Sequence, residues 1–135
     1  MYALDANTVI YYFKGKGRVA ERLLACAPSE VALPSVVLYE LEVGVNKSLH
    51  GKKRREQLDM LLRHVRILPF GASEARVTAE LRAELEQTGL GIGPLDTLIA
   101  GTALAHGAIL VTRNVYEFSR VHGLRYENWY VDEPF

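Results

Sequence analysis

The chain has 135 residues, of which 49% are hydrophobic and 24% charged, and this suits one globular domain over residues 1–135. Sixteen basic and sixteen acidic residues cancel, so no overall charge attracts a polyanion, and any nucleic-acid site must be local. The single cysteine, Cys26, cannot form an internal disulfide or a cysteine-rich zinc site. The segment MYALDANTV lacks the basic start of a signal peptide, and no apolar run approaches the roughly 18 residues of a membrane span. These features favour a cytoplasmic protein.

Short apolar runs predict strands, and apolar residues that repeat every three to four positions predict helices. In chain order the predicted elements are a strand at 2–5, a helix within 6–17 that ends at glycines, a helix at 18–27 stopped by Pro28, a strand at 30–34, helices at 36–47 and 52–65, a strand at 66–70, a helix at 73–89, a helix opened by Asp96, and strands at 108–112 and 124–129.

Strands that alternate with helices and read as continuous apolar runs are typical of a parallel sheet covered on both faces. We therefore predict an α/β fold, a three-layer α/β/α sandwich around a central parallel sheet. In such sheets, ligands bind beyond the carboxyl ends of the strands, at the point where the strand order reverses.

Several oxygen-bearing side chains are expected at that edge. Asp5 ends the first strand, Glu40 lies on the helix after the second, and Asp96 opens a helix. Asn114 and Glu117 follow the strand at 108–112. Two like charges about 4 Å apart repel by roughly 4 kcal/mol at an effective dielectric constant near 20, so either the pKa values of these acids rise or a cation lies among them. Oxygen ligands favour Mg²⁺ or Mn²⁺, and this chemistry points to hydrolysis of a phosphodiester by metal-activated water.

Each acid also has a simpler interpretation. Asp5 could merely end a strand, and an acid at the position of Asp96 is favoured at any helix start. Glu40 could be a surface residue paired with Lys47, and Glu117 could simply be solvated. The four histidines show no metal-ligand spacing.

The segments LDANTVIYYFKG, LYELEVGVNKS, GIGPLDTLIAGTALAHGAILVTRNVYEF and LRYENW occur in this order over nearly the whole chain. Together they resemble PIN-domain nucleases, specifically VapC-type toxins. The resemblance implies a PIN-like fold and a Mg²⁺- or Mn²⁺-dependent endoribonuclease. It also implies a homodimer whose cleft is blocked by the C-terminal segment of a VapB-type antitoxin.

The resemblance places the family's acids on Asp5, Glu40 and Asp96, as catalytic residues and metal ligands. Glu40 is preferred over Glu42 because the family has a glycine four residues after its acid. The fourth position stays open, since many relatives have an aspartate where this chain has Asn114. Others have an acid three residues later, which matches Glu117. We expect Asn114 to lie in the cleft as a catalytic residue and Glu117 to add charge from the rim as a metal ligand.

Residues beside these acids have predicted supporting roles. Asn7 is expected to orient the Asp5 carboxylate, Thr112 is expected to support the site, and Arg113 is a candidate phosphate contact. A basic stretch is interpreted either as a solvated helix start or as an RNA-guiding patch, and it contains Lys47, Lys52, Lys53, Arg54 and Arg55.

Two other functions compete with the nuclease. A haloacid-dehalogenase-like phosphatase would use Asp5 as its nucleophile, but it needs a second carboxylate where this chain has Asn7. The other alternative is a PIN-fold binding module without catalytic activity.

Overall fold

A computed structural model describes residues 1–131 of the chain. Its elements in chain order are β1 (Tyr2–Leu4), α1 (Ala6–Lys14), α2 (Val19–Leu24), a 3₁₀ turn (Pro28–Glu30), β2 (Val31–Pro34), α3 (Ser35–Lys47), α4 (Gly51–Leu62), β3 (Arg66–Leu68), α5 (Ala72–Gln87), α6 (Pro94–Ala105), β4 (Ile109–Val111), α7 (Val115–Phe118) and β5 (Tyr126–Glu127).

The five strands form one parallel sheet in the order β3-β2-β1-β4-β5. In the centre, Ala3 of β1 is in register with Ala32 of β2 on one side and with Leu110 of β4 on the other. The chain builds outward from β1 through β2 and β3, then returns to the opposite side of β1 with β4. The strand order therefore reverses between β1 and β4, and the carboxyl ends of these two strands mark the expected ligand site.

The sheet is flanked by helices, which confirms the predicted α/β sandwich, and its core is aliphatic. Leu4, Leu33 and Leu110 of the central strands are fully buried. Helices α5 and α6 approach closely because Gly101 of α6 lies directly against Thr78 of α5, where no Cβ would fit. This contact holds α6, and with it Asp96 in its first turn, in a defined place against the rest of the fold.

The observed elements differ from the prediction mainly at their ends. The strands are shorter than predicted, and the helix predicted at 18–27 spans only Val19–Leu24. The 3₁₀ turn and α7 were not predicted. The single domain predicted over 1–135 extends past the described residues, since 132–135 lie outside them. None of the helices between residues 1 and 131 is long and apolar enough to cross a membrane.

Candidate active site

Asp5 lies where β1 passes into α1, and its orientation follows from helix capping. As the N-cap residue of α1, it accepts a hydrogen bond at Oδ1 from the backbone N–H of Thr8, at 2.8 Å. The hydroxyl of Thr112, which follows β4 and is fully buried, donates a second hydrogen bond to the Asp5 carboxylate. Burial raises the pKa of Asp5, and these hydrogen bonds partly offset that effect. The carboxylate is thus held between the ends of β1 and β4.

Glu40 extends toward Asp5 and Asp96 from α3. Its pKa is raised, first by burial and then by the negative charges of Asp96 and Asp5. Its Oε1 atom is buried and has no hydrogen-bond partner among residues 1–131. A buried carboxylate oxygen without a donor is costly, so this atom indicates a site for a positively charged or hydrogen-bonding ligand.

Asp96 and Glu117 form the second half of the cluster. Burial raises the pKa of Asp96 to about 6, assisted by the charges of Glu117 and Asp5 and by a hydrogen bond with the Glu117 carboxyl group. The negative charge of Glu117 thus disfavours ionisation of Asp96. The structure therefore couples four acids electrostatically at one edge of the sheet, and they are Asp5, Glu40, Asp96 and Glu117.

The surroundings of this cluster differ from the sequence expectation in two respects. Glu117 contacts Asp96 directly, whereas Asn114 is exposed and its Nδ2 donates to Glu117 Oε2 at 3.2 Å. The expected places of Asn114 and Glu117 are thus exchanged. Asn7 is exposed and its side chain makes no hydrogen bond within residues 1–131, whereas Thr8 and Thr112 hold the Asp5 carboxylate. Thr8 was missed, although an aspartate N-cap routinely binds a backbone N–H two or three residues later.

The oxygen donors suit a magnesium or manganese ion. In the described part of the chain, no three Asp, Glu, His or Cys side chains lie close enough together to hold one ion between them. Mg²⁺ usually keeps several waters and is bound by one or two carboxylates together with substrate phosphates, so a full protein cage is not needed. The unpaired oxygen of Glu40, beside Asp5 and Asp96, supplies such a ligand.

The basic stretch is partly neutralised by its own neighbours. Arg55 donates two hydrogen bonds to Glu42, at 2.7 and 3.2 Å, and also lies 3.5 Å from Asp59. Arg54 donates to Gln57 at 2.6 Å. Arg55 therefore takes part in a local ion pair, and its assignment to an RNA-guiding patch stays a prediction. The exposed cations that remain in this stretch are Lys47, Lys52 and Lys53.

Arg113 is placed differently from these residues. It directly follows Thr112, and its exposed guanidinium lies 3.7 Å from the centre of the Tyr130 ring and 5.6 Å from that of Tyr11. It also hydrogen-bonds to the Tyr11 side chain.

An apolar groove of about 670 Å³ lies apart from the acids, lined mainly by α1, α2 and α4. Leu24 and Met60 on its walls are 75% and 54% exposed, so apolar surface of the groove is open to a partner. Phe13 lines this groove and also a smaller cavity that includes Glu40. The groove thus leads toward the acidic cluster.

Comparison with known proteins shows what this fold and site are similar to. The PIN domain model matches residues 2–124. The chain is 40% identical over 131 residues to Ribonuclease VapC2 of Rickettsia felis, covering 96% of this chain and 98% of that protein. It is 33% identical over 128 residues to the tRNA(fMet)-specific endonuclease VapC of Salmonella typhimurium, covering 95% and 97% of the two chains.

A solved structure shows that this similarity extends to the backbone fold. It is the crystal structure of VapBC2 from Rickettsia felis bound to a DNA fragment from their promoter. One of its chains matches with a TM-score of 0.88 and 40% identity, over 95% of this chain and 98% of that chain. The acidic cluster described above lies at the carboxyl edge of this shared fold. This chain therefore belongs to the PIN-domain family and, within it, to the VapC ribonucleases of toxin–antitoxin systems.

Proposed function

We propose that this chain is a toxin whose Mg²⁺- or Mn²⁺-dependent endoribonuclease activity hydrolyses phosphodiester bonds in cytoplasmic RNA, and that a VapB-type antitoxin blocks it. The observation that carries the proposal is the coupled group of four acids at the sheet edge, in which one buried oxygen of Glu40 has no partner. The dehalogenase-like phosphatase is not favoured, because a second carboxylate is missing at the exposed Asn7 and the chain is a VapC relative.

The side chains of this site would have distinct roles. Asp5, Glu40 and Asp96 would hold the ion, with Glu117 adding charge. A bound divalent ion supplies Lewis acidity toward the phosphate and lowers the pKa of a water. Thr8 and Thr112 keep the Asp5 carboxylate in one orientation, so that little reorganisation is needed when substrate binds.

The raised pKa of Asp96 has a consequence for metal binding. While Asp96 is protonated, its carboxyl group is neutral and is a poor ligand for a cation. Asp96 must lose this proton before it carries a negative charge. The site is therefore expected to bind divalent ions better above a pH of about 6, which is the pKa of Asp96.

The substrate class is inferred from the relatives and from local charge. The Salmonella typhimurium relative is named as a tRNA(fMet)-specific endonuclease, so initiator tRNA is the first substrate to test. The net charge of the chain is zero, so phosphate binding would depend on local cations, namely Lys47, Lys52, Lys53 and Arg113.

The antitoxin would use the apolar groove and the acidic cluster together. A segment with apolar side chains would cover Leu24 and Met60, and continue past Phe13 toward Glu40. An Arg or Lys at its end would offset the repulsion among the acids, as a metal ion would. We also propose that the chain forms a homodimer, as the family resemblance implies.

The decisive experiment is cleavage of an initiator-tRNA transcript by the purified chain. We expect cleavage with Mn²⁺ or Mg²⁺, loss of cleavage with EDTA, and loss of cleavage in a folded Asp5→Asn variant. Glu84→Gln, which removes an exposed carboxylate on α5, is the matched control and should cleave normally. Cleavage by Asp5→Asn that equals the wild-type rate would refute the site. Absence of cleavage of this and other RNAs, with any divalent ion, would favour an inactive binding module.

A further inference from the structure

The position of Arg113 relative to the acids is set by β4 and α1. Its neighbour Thr112 contacts Asp5, while its guanidinium lies over Tyr130 and beside Tyr11. Tyr11 follows Asp5 by six residues on α1, which is about 9 Å along the helix axis. Asp5 caps the start of α1, whereas the guanidinium packs near Tyr11 further along that helix, so it lies beside the acidic cluster and not within it. It would meet a phosphate next to the one that is cut.

Two aromatic rings hold this guanidinium. Tyr11 and Tyr130 pack edge to face, with ring centres 4.8 Å apart, and the guanidinium lies 3.7 Å from the centre of the Tyr130 ring. A hydrogen bond to Tyr11 adds a second point of attachment. Such stacking leaves N–H donors of the arginine free and limits its rotamers, which favours bidentate contact with a phosphate.

Tyr130 is itself fixed by the fold. Its backbone carbonyl accepts a hydrogen bond from the N–H of Arg18 at 3.1 Å, and its N–H donates to Asn128 Oδ1 at 2.9 Å. The preceding residue, Trp129, is 2% exposed. Gly17 has a φ of +63°, and a Cβ there would lie 2.6 Å from the Tyr130 carbonyl oxygen. Only glycine at position 17 allows the segment to dock so closely.

Within residues 1–131, no carboxylate forms an ion pair with Arg113, whereas several other arginines of the fold do form such pairs. Arg55 is paired with Glu42, and Arg22 lies 3.4 Å from Glu127. Within residues 1–131, the groups that contact Arg113 are tyrosines rather than carboxylates. An exposed cation that stacks on two aromatic rings, and has no carboxylate partner among the described residues, is suited to bind an anion.

We propose that Tyr11 and Tyr130 position Arg113 to bind an RNA phosphate adjacent to the scissile one, which makes the C-terminal segment 128–131 part of the substrate site. The proposal rests on the ribonuclease function proposed above. Arg113 is the group that touches substrate, and the two tyrosines act through it. Because this phosphate carries the same charge in the ground state and in the transition state, the contact lowers KM and leaves kcat nearly unchanged.

The test measures kcat and KM for cleavage of an initiator-tRNA transcript with Mn²⁺ at several salt concentrations. Arg113→Gln should raise KM about 3- to 10-fold and lower the salt slope of binding by about 1. Tyr130→Leu should raise KM similarly, while Tyr130→Phe, which keeps the ring face, should stay close to wild type. The double variant Arg113→Gln, Tyr130→Leu should be no worse than Arg113→Gln alone, since both changes remove one contact.

A second pair of variants tests the placement of Tyr130 while Arg113, Tyr11 and Tyr130 themselves stay unchanged. Gly17→Ala places a Cβ against Tyr130, whereas Gly15→Ala, with an almost equal φ of +65°, meets nothing within 4 Å. Both carry the same backbone strain, so only Gly17→Ala should raise KM. Thermal unfolding of each variant shows that it is folded, and Gly17→Ala tests the proposal even if Tyr130→Leu does not fold.

The outcomes separate this proposal from the one on which it rests. If the wild-type chain does not cleave RNA with any divalent ion, the proposed ribonuclease function fails. If the wild type cleaves and the Tyr130→Leu and Gly17→Ala variants keep its KM, the positioning role is overturned. A fall in kcat at unchanged KM would likewise overturn it, because that result would indicate a general disturbance of the acidic cluster.

Discussion

The acidic cluster should destabilise the metal-free protein, and Asp96→Asn should reveal by how much. In the folded state the pKa of Asp96 is raised from 3.8 to about 6. Its proton is therefore bound more tightly by the folded chain than by the unfolded chain. Stability that depends on this proton is fully present below the unfolded pKa and is lost as the pH rises through the folded pKa.

The magnitude follows from the pKa shift. Each pKa unit corresponds to about 1.4 kcal/mol, so the full shift would correspond to about 3 kcal/mol. Asp96 is only half-buried, and solvent screening reduces this value to about 1–2 kcal/mol. An asparagine keeps the size of the side chain and can donate its amide to Glu117 without adding charge. Asp96→Asn should thus raise the free energy of unfolding by about 1–2 kcal/mol at pH 7.5 and by much less at pH 4.

Urea unfolding in EDTA at pH 4 and at pH 7.5 measures both values. Glu84→Gln, at an exposed position on α5, controls for the loss of a carboxylate outside the cluster. With Mn²⁺ present at pH 7.5, the wild type should gain stability while Asp96→Asn gains little, because binding to the folded state stabilises it. The reasoning is refuted if Asp96→Asn is no more stable than wild type at pH 7.5, or if its gain does not depend on pH.

Three further outcomes are expected. Gly101→Ala forces a Cβ into the α5–α6 contact and should lower the free energy of unfolding by about 1–3 kcal/mol. Gly44→Ala, whose added Cβ would meet nothing within 4 Å, should not lower it, and thermal and urea unfolding compare the two variants. In a cleavage assay across a Mn²⁺ titration, Glu117→Gln should weaken activity about 10- to 100-fold and Asn114→Ala less, and the reverse order would make Asn114 the ligand. Leu24→Asp in the apolar groove should weaken binding of the antitoxin in calorimetry without changing RNA cleavage, and unchanged binding would move the antitoxin to another surface.

The fold was largely predictable because its signals are local. The three central strands are short apolar runs, and the helices between the strands have apolar residues at helical spacing. Helix α7 was missed because four residues carry too little periodicity, and it depends on packing of Phe118, which is 1% exposed. The strand order, with β4 beside β1, depends on contacts between distant residues that no local pattern reports.

The acids of the site were predictable for a related reason. In a parallel sheet, strand ends and the starts of neighbouring helices meet at one edge, so Asp5 and Asp96 were expected there. The partners of these acids were harder to predict, since they depend on rotamers and on long-range contacts. Arg55 pairs with Glu42 across 13 residues of sequence, and Arg113 stacks on Tyr130 from the C-terminal segment. Charge patterns along the chain indicate neither contact.

The repulsion that destabilises the cluster also explains how such a nuclease can be controlled. A divalent ion and a basic side chain of an antitoxin would neutralise the same carboxylates, so each would bind less well when the other is present. At low pH a proton on Asp96 would neutralise part of that charge and compete with both. On the proposed function, the four acids would link activity, inhibition and protonation through one set of charges, and the stability lost in the free protein would become part of the binding energy for whichever cation occupies the site.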